Sequence, residues 1–246
     1  MSLIESKWVW KNGEFVRWED ATTHVSVHAL HYGSGVFEGI RCYETVDGPA
    51  IFRLDAHLER FYASAEFYGL QIPYSRDEFA DAACQLIQMN EFKSCYIRPI
   101  CYFGSSSLGL HPAKCPTEVV ILTWPWAPYL GAEGLEHGIR ATVSPWLKFH
   151  SQMMPTTVKA CGQYINSILA VKEAVSRGFD EAILCNVDGT LAEGSGENLF
   201  FVKNGIVLRM ISRTRFCWVS HARRLSKLHA TSAIRFVFNR CSLKTC

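Results

Sequence analysis

A chain of 246 residues, 48% hydrophobic and 13% aromatic, can bury one large core or two modest ones, which excludes a disordered or fibrous protein. No apolar run approaches the ~20 residues that span a bilayer, and Glu5, Lys7 and Lys11 stand where a secretory leader would be apolar, so the expectation is a cytoplasmic protein without membrane attachment. The net charge of +2 conceals an imbalance, because residues 1–207 hold 16 basic against 23 acidic side chains while residues 208–246 hold nine basic ones and no acid. Ten cysteines, scattered singly with no CxxC pair, read as reduced and mostly buried thiols rather than zinc ligands.

In chain order, "WVWKNGEFVRWE" (8–19) alternates apolar and polar residues around Asn12-Gly13 and predicts a tight hairpin. "GSGVFEGIRCYET" predicts one glycine-flanked strand. In the next stretch a strand turns into a helix, with Leu54, Leu58, Phe61 and Ala65 at helical spacing and a stop at Gly69. A second helix is predicted from Ser75 to Asn90, opened by Ser75 with Glu78 three residues on. "CYIRPICYF" and "TEVVILTWPW" predict β-strands across a Gly/Ser/Pro loop. Residues 125–138 look like a linker, and patterning restarts at "IRATVSPW". Beyond it come a helix ending at Gly178, a strand-turn-strand on Asp188-Gly189, and a hairpin on Asn204-Gly205. Strands and helices mix without a regular βαβ repeat, so the class is α+β or mixed α/β in two domains.

Three constellations bear on chemistry. His24, His28 and His31 have the spacing of one helix face, but no carboxylate is placed to complete a metal set, so they read as structural and no metal is expected. Lys159 lies among small and apolar residues in "MPTTVKACGQY", which suits either a snorkelling surface lysine or a desolvated amine able to form a Schiff base. "AEGSGENLF" sets Glu193 and Glu197 around Gly194 and Gly196, either as an ordinary turn or as a bed where backbone approaches a ligand. Together, a nucleophilic lysine about thirty residues ahead of a glycine-bedded carboxylate fits pyridoxal phosphate.

"HALHYGSGVFEGIRCYE", "CYIRP", "WPWAPYLG", "PTTVKACGQYINSILA" and "GTLAEGSGENLFFV" resemble the fold-type IV pyridoxal-phosphate aminotransferases, nearest to the branched-chain amino acid type, over about residues 8 to 207. The resemblance implies the two-domain D-amino acid aminotransferase-like fold: a small α/β domain over 1–130, the first part of a large cofactor-binding domain over 131–207, and an aberrant tail over 208–246 that leaves the second domain incomplete. It implies Lys159 as the Schiff-base and proton-transfer lysine, Glu193 on the pyridinium nitrogen, Tyr164 on the phenolic oxygen, Arg60 on the phosphate and Gly196 in the cofactor bed. Tyr32, Phe37 and Tyr129 would wall the side-chain pocket, and Tyr96 and Arg98 would meet substrate carboxylates. The implied partners are leucine, isoleucine, valine, glutamate and their 2-oxo acids, and a homo-oligomer built on a dimer. D-amino acid aminotransferase and aminodeoxychorismate lyase are the alternatives within the fold, differing at Tyr32, Tyr96, Arg98 and Tyr129. An inactive truncated fragment is the alternative outside it.

After Leu208 the family pattern stops, and the "LPGITR" stretch that would follow is missing. Reading Cys217-Trp218-Val219 two bases into each codon forces Leu-Gly, and permitted codons for Ser220 to Arg223 extend this to Ile-Thr-Arg-Glu. The tail therefore reads as a shifted frame that would leave apolar surface uncovered in the second domain. A basic arm for nucleic acid or anionic membrane is the competing reading, which no recognisable binding motif supports.

Overall fold

Asn12 and Gly13 both take left-handed backbone, φ 50° and 93°, and so join β1 (Trp8–Lys11) to β2 (Glu14–Arg17) through a two-residue turn. The computed structural model describes residues 5–125, 134, 136–203, 206–209 and 243–245. Contacts divide the chain into a first unit of Met1–Ala127, Val158–Gly162 and Arg240–Cys246, and a second of Pro128–Thr157 and Gln163–Asn239. The boundary expected after residue 130 falls outside the described residues.

The first unit is an antiparallel sheet backed by helices. After β1 and β2 come α1 (His28–Tyr32), β3 (Gly35–Phe37), β4 (Ile40–Thr45), β5 (Gly48–Phe52), α2 (Leu54–Phe67), α3 (Arg76–Met89), β6 (Cys95–Phe103) and β7 (Thr117–Pro125). With β13 (Leu243–Thr245) pairing onto β5, the strand order is β13-β5-β4-β6-β7-β1-β2, and β3 also pairs with β6. The α2 spacing holds: Leu54, Leu58, Phe61 and Ala65 are all buried. Ser75 and Glu78 close the capping box that starts α3. Phe79 from α3 meets Phe61, Tyr62 and Trp10 in the core between helices and sheet.

The strand expected over "GSGVFEGIRCYET" is two strands. Gly35–Phe37 and Ile40–Thr45 run along β6 in one phase, since Phe37 faces Ile100 and Ile40 faces Ile97. Between them Glu38 donates its backbone N–H to the Pro99 carbonyl at 2.9 Å, and Pro99 has no N–H to return. The ladder is broken by one missing donor and not by a turn. His24, by contrast, lies outside any helix, because α1 begins only at His28.

The second unit holds β8 (Ala141–Val143), α4 (Tyr164–Ser176), β9 (Glu181–Cys185) and β10 (Leu191–Gly194), with sheet order β10-β9-β8, and the hairpin β11 (Phe200–Lys203) with β12 (Ile206–Arg209). Strand β8 runs parallel to β9, and Gly178 and Gly189 take positive φ at the helix stop and the turn. Lys203 pairs with Ile206 around the expected Asn204-Gly205 turn, whose own residues lie outside the described set. Ile165, Ile168 and Val175 on α4 and Val143 on β8 are more than half exposed, at 60%, 56%, 56% and 52%. Apolar side chains of this unit thus lie at its surface.

Candidate active site

Strand β6 alternates buried and half-buried residues along its whole length. Cys95, Ile97, Cys101 and Phe103 enter the core, so Tyr96 and Arg98 lie on the opposite face. The register brings Trp124 of β7 opposite Tyr96, with ring centroids 4.8 Å apart, and Phe37 opposite Ile100 on the same face. The Arg98 guanidinium sits 4.6 Å from the Phe37 ring centroid, 5.3 Å from Tyr96 and 5.6 Å from Trp124, and its Nη2 donates to the Tyr96 hydroxyl at 3.3 Å. Its Nε–H is buried and has no hydrogen-bond partner among the described residues. A buried charged donor in that state asks for an anionic acceptor.

Lys159 belongs to this same unit. Its backbone carbonyl accepts from the Phe37 N–H at 3.1 Å, its N–H donates to Ser64 Oγ on α2 at 3.3 Å, and Ala160 bridges Val36. Gly162 N–H reaches the Gly33 carbonyl at 3.1 Å; a Cβ on Gly33, which has φ 63°, would come within 2.7 Å of Gly162 Cα. The segment is therefore laid along β3 by backbone contacts that only a glycine at 33 permits. Lys159 is half-buried, and its Nζ is 4.9 Å from the Phe37 ring centroid. Phe37 thus carries both the lysine and Arg98, joining four of the expected residues in one unit: Phe37, Tyr96, Arg98 and Lys159.

On the helix side of the sheet the register puts Glu38 among Val36, Ile40 and Cys42, a core position for a fully buried acid. Arg60 of α2 grips it with two N–H donors, Nε to Oε1 and Nη2 to Oε2, the latter at 2.6 Å, and His57 Nδ1–H donates to Oε2 at 2.9 Å. Burial alone would push this carboxyl up; the bonds from His57 and Arg60 and the Arg60 charge reverse that and hold it down at about 2. Sequence reasoning picked out Arg60 but missed Glu38 and His57. The one available signal was an acid in the apolar phase of a strand.

Tyr32 makes different contacts, its hydroxyl donating to the Leu108 carbonyl at 2.6 Å and its ring lying 4.6 Å from that of His28. The three histidines are held by neighbours: His24 by Ser26, buried His28 by Ser34 and the Gly109 carbonyl, and His31 by the Val25 carbonyl. The seven described cysteines are thiols. Among the described residues no helix is long and apolar enough to cross a membrane.

In the second unit, Glu193 on β10 pairs with Lys148 at 2.6 Å, both side chains being nearly buried. Lys148, which no sequence pattern marked, is fixed by its backbone N–H on Cys185 and by the Phe149 ring 4.1 Å from its Nζ. Tyr164 opens α4, and a Cβ on Gly196 would meet no atom of the described residues within 4 Å, so their packing does not require that glycine. Tyr129 lies outside the described residues. Glu197 is raised to about 7 by desolvation, by the charge of Glu181 and by a hydrogen bond with that side chain, which needs one proton between the two acids. From the ordinary 4.5 up to about 7 the folded chain keeps a proton that the unfolded chain has released, so stability should fall as pH rises through that window. Urea midpoints at pH 5 and pH 7.5 check this, and Glu197→Gln should flatten the slope.

Residues 35–214 match the family described as amino-transferase class IV. The chain belongs to the class IV aminotransferase family. The branched-chain-amino-acid aminotransferase of Pseudomonas aeruginosa is 47% identical over 199 residues, covering 81% of this chain and 65% of that relative. The solved branched-chain amino acid aminotransferase of Escherichia coli superposes with a TM-score of 0.81 at 46% identity, covering 82% of this chain and 67% of that one. The corresponding T.th. enzyme, solved in complex with N-(5'-phosphopyridoxyl)-L-glutamate, gives 0.80 at 43% identity, covering 87% and 69%. This class IV chain thus has the mixed α/β fold of its family and spans about two thirds of the length of these relatives.

Proposed function

We propose that the chain is a pyridoxal-phosphate-dependent transaminase that exchanges the amino group of leucine, isoleucine or valine with 2-oxoglutarate. The observation that carries the reading is the shared Phe37 ring, which sets an amine and an arginine with an unsatisfied buried N–H beside three aromatic side chains. The donor set fits the cofactor: a half-buried lysine for an aldehyde, a nearly buried carboxylate for a ring nitrogen and an arginine for a phosphate.

Pyridoxal phosphate, when bound, supplies the aldehyde that takes up the amino group and the ring that draws electrons from the substrate α-carbon. Lys159 would hold the cofactor aldehyde, and its amine would carry the proton to and from that α-carbon. Glu193, already paired at one oxygen by Lys148, keeps the ring nitrogen protonated. Tyr164 donates to the phenolic oxygen, Arg60 holds the phosphate and Gly196 leaves room at the cofactor bed. Tyr32, Phe37 and Tyr129 would wall the apolar side-chain pocket, while Tyr96 and Arg98 would meet substrate carboxylates; one pocket would then admit both an aliphatic side chain and glutamate. The names of the similar proteins favour this over a D-amino acid aminotransferase or aminodeoxychorismate lyase. The reading also implies a cytoplasmic homo-oligomer built on a dimer.

The test is glutamate formation from 2-oxoglutarate with L-leucine, with D-alanine as control. Leucine-dependent turnover supports the proposal, and turnover with D-alanine alone overturns it. The charge break after residue 207 favours a second reading, a catalytically inert chain with an out-of-frame tail. That reading predicts no new absorbance when pyridoxal phosphate is added.

A further inference from the structure

A buried acid needs a reason. At the position of Glu38 the pattern of the strand calls for an apolar side chain, since Val36, Ile40 and Cys42 all pack into the core. Taking a carboxylate out of water is costly, and an apolar residue of similar volume is generally as stable there as an ion pair. What the acid adds is geometry. Its two oxygens meet two N–H groups of one guanidinium, which fixes the plane of that group, and His57 holds the carboxylate from a second direction. The Arg60 side chain is 17% exposed, that of His57 10% and that of Glu38 not at all, so the arginine is the member of the cluster most open to solvent.

We propose that Glu38 is a positioning residue for oxyanion binding: its two-point grip, braced by His57, holds the Arg60 guanidinium in the one orientation in which its outward edge meets a phosphate. The inference rests on the reading that Arg60 binds the cofactor phosphate. It assigns the specificity for a phosphorylated over an unphosphorylated pyridoxal to a pair of side chains, one of which never touches the ligand. A flexible arginine would still attract an anion, but it would bind by charge alone and lose the advantage of aligned N–H donors.

The experiment measures, by absorbance titration of the full chain freed of cofactor, the ratio of dissociation constants for pyridoxal and pyridoxal phosphate. Arg60→Ala should collapse the ratio. Glu38→Gln, which keeps the shape but presents an amide N–H₂ to one of the arginine donors, should lower it about tenfold. Glu38→Asp keeps the charge but is one methylene too short for both donors; it should lower the ratio in the same sense and carries the test if the glutamine variant does not fold. In an Arg60→Ala background neither change at 38 should lower the ratio further, because the effect passes through the arginine. Equal losses in both backgrounds, or an unchanged ratio in the Glu38 variants while Arg60→Ala lowers it, would overturn the positioning role alone. An unchanged ratio in Arg60→Ala would overturn the phosphate reading beneath it as well.

Discussion

Lys159→Ala abolishes the absorbance change produced by adding pyridoxal phosphate and lowers leucine-dependent glutamate formation by at least about 10³-fold. Loss of general acid–base transfer alone accounts for about 10²–10⁴-fold, and loss of the covalent anchor adds to it. The backbone of residue 159 is held by Phe37 and Ser64 through main-chain groups, so truncating the side chain leaves its bed in place. The variant should therefore melt with the parent protein while losing its spectrum. A Lys159→Ala chain that keeps the spectrum would show that another amine holds the aldehyde, and the proposed mechanism would fail.

The largest stability effect is expected at Phe79. Its ring is fully buried, 5.5 Å from the ring centroids of both Trp10 and Phe61 and 6.2 Å from that of Tyr62. Phe79→Ala removes the transfer free energy of the ring and leaves a cavity walled by aromatic rings anchored on α2 and β1, which cannot collapse to fill it. The expected cost is about 3–5 kcal/mol, read from urea unfolding followed by tryptophan fluorescence. A cost below about 1 kcal/mol would mean that the α3 face is not packed on the sheet as described.

Local rules were legible wherever local physics decides. Asn12-Gly13 accepts left-handed backbone, Ser75 and Glu78 satisfy each other's N–H groups, and Leu54 to Ala65 hold one face of a helix; each outcome depends on residues no more than eleven apart in sequence. The same reasoning erred over residues 35–45, because the donor missing from that ladder belongs to Pro99, over fifty residues further on. The helical spacing of His24, His28 and His31 likewise does not extend to His24 in the fold, where the helix begins only at His28.

By itself the sequence determined the family and the chemistry of the key side chains, because a lysine, an acid and an arginine bring their reactivity with them and the motifs that carry them are contiguous. Only the tertiary structure decided that Lys159 and Arg98 share the Phe37 ring, that Lys148 stands beside Glu193, and that Arg60 is gripped by an acid in the core. Those relations come from strand register and from the packing of α2 on the sheet. Burial and pairing between residues from about twenty to over a hundred positions apart set the charge state and orientation of a side chain, and a linear pattern carries no record of them.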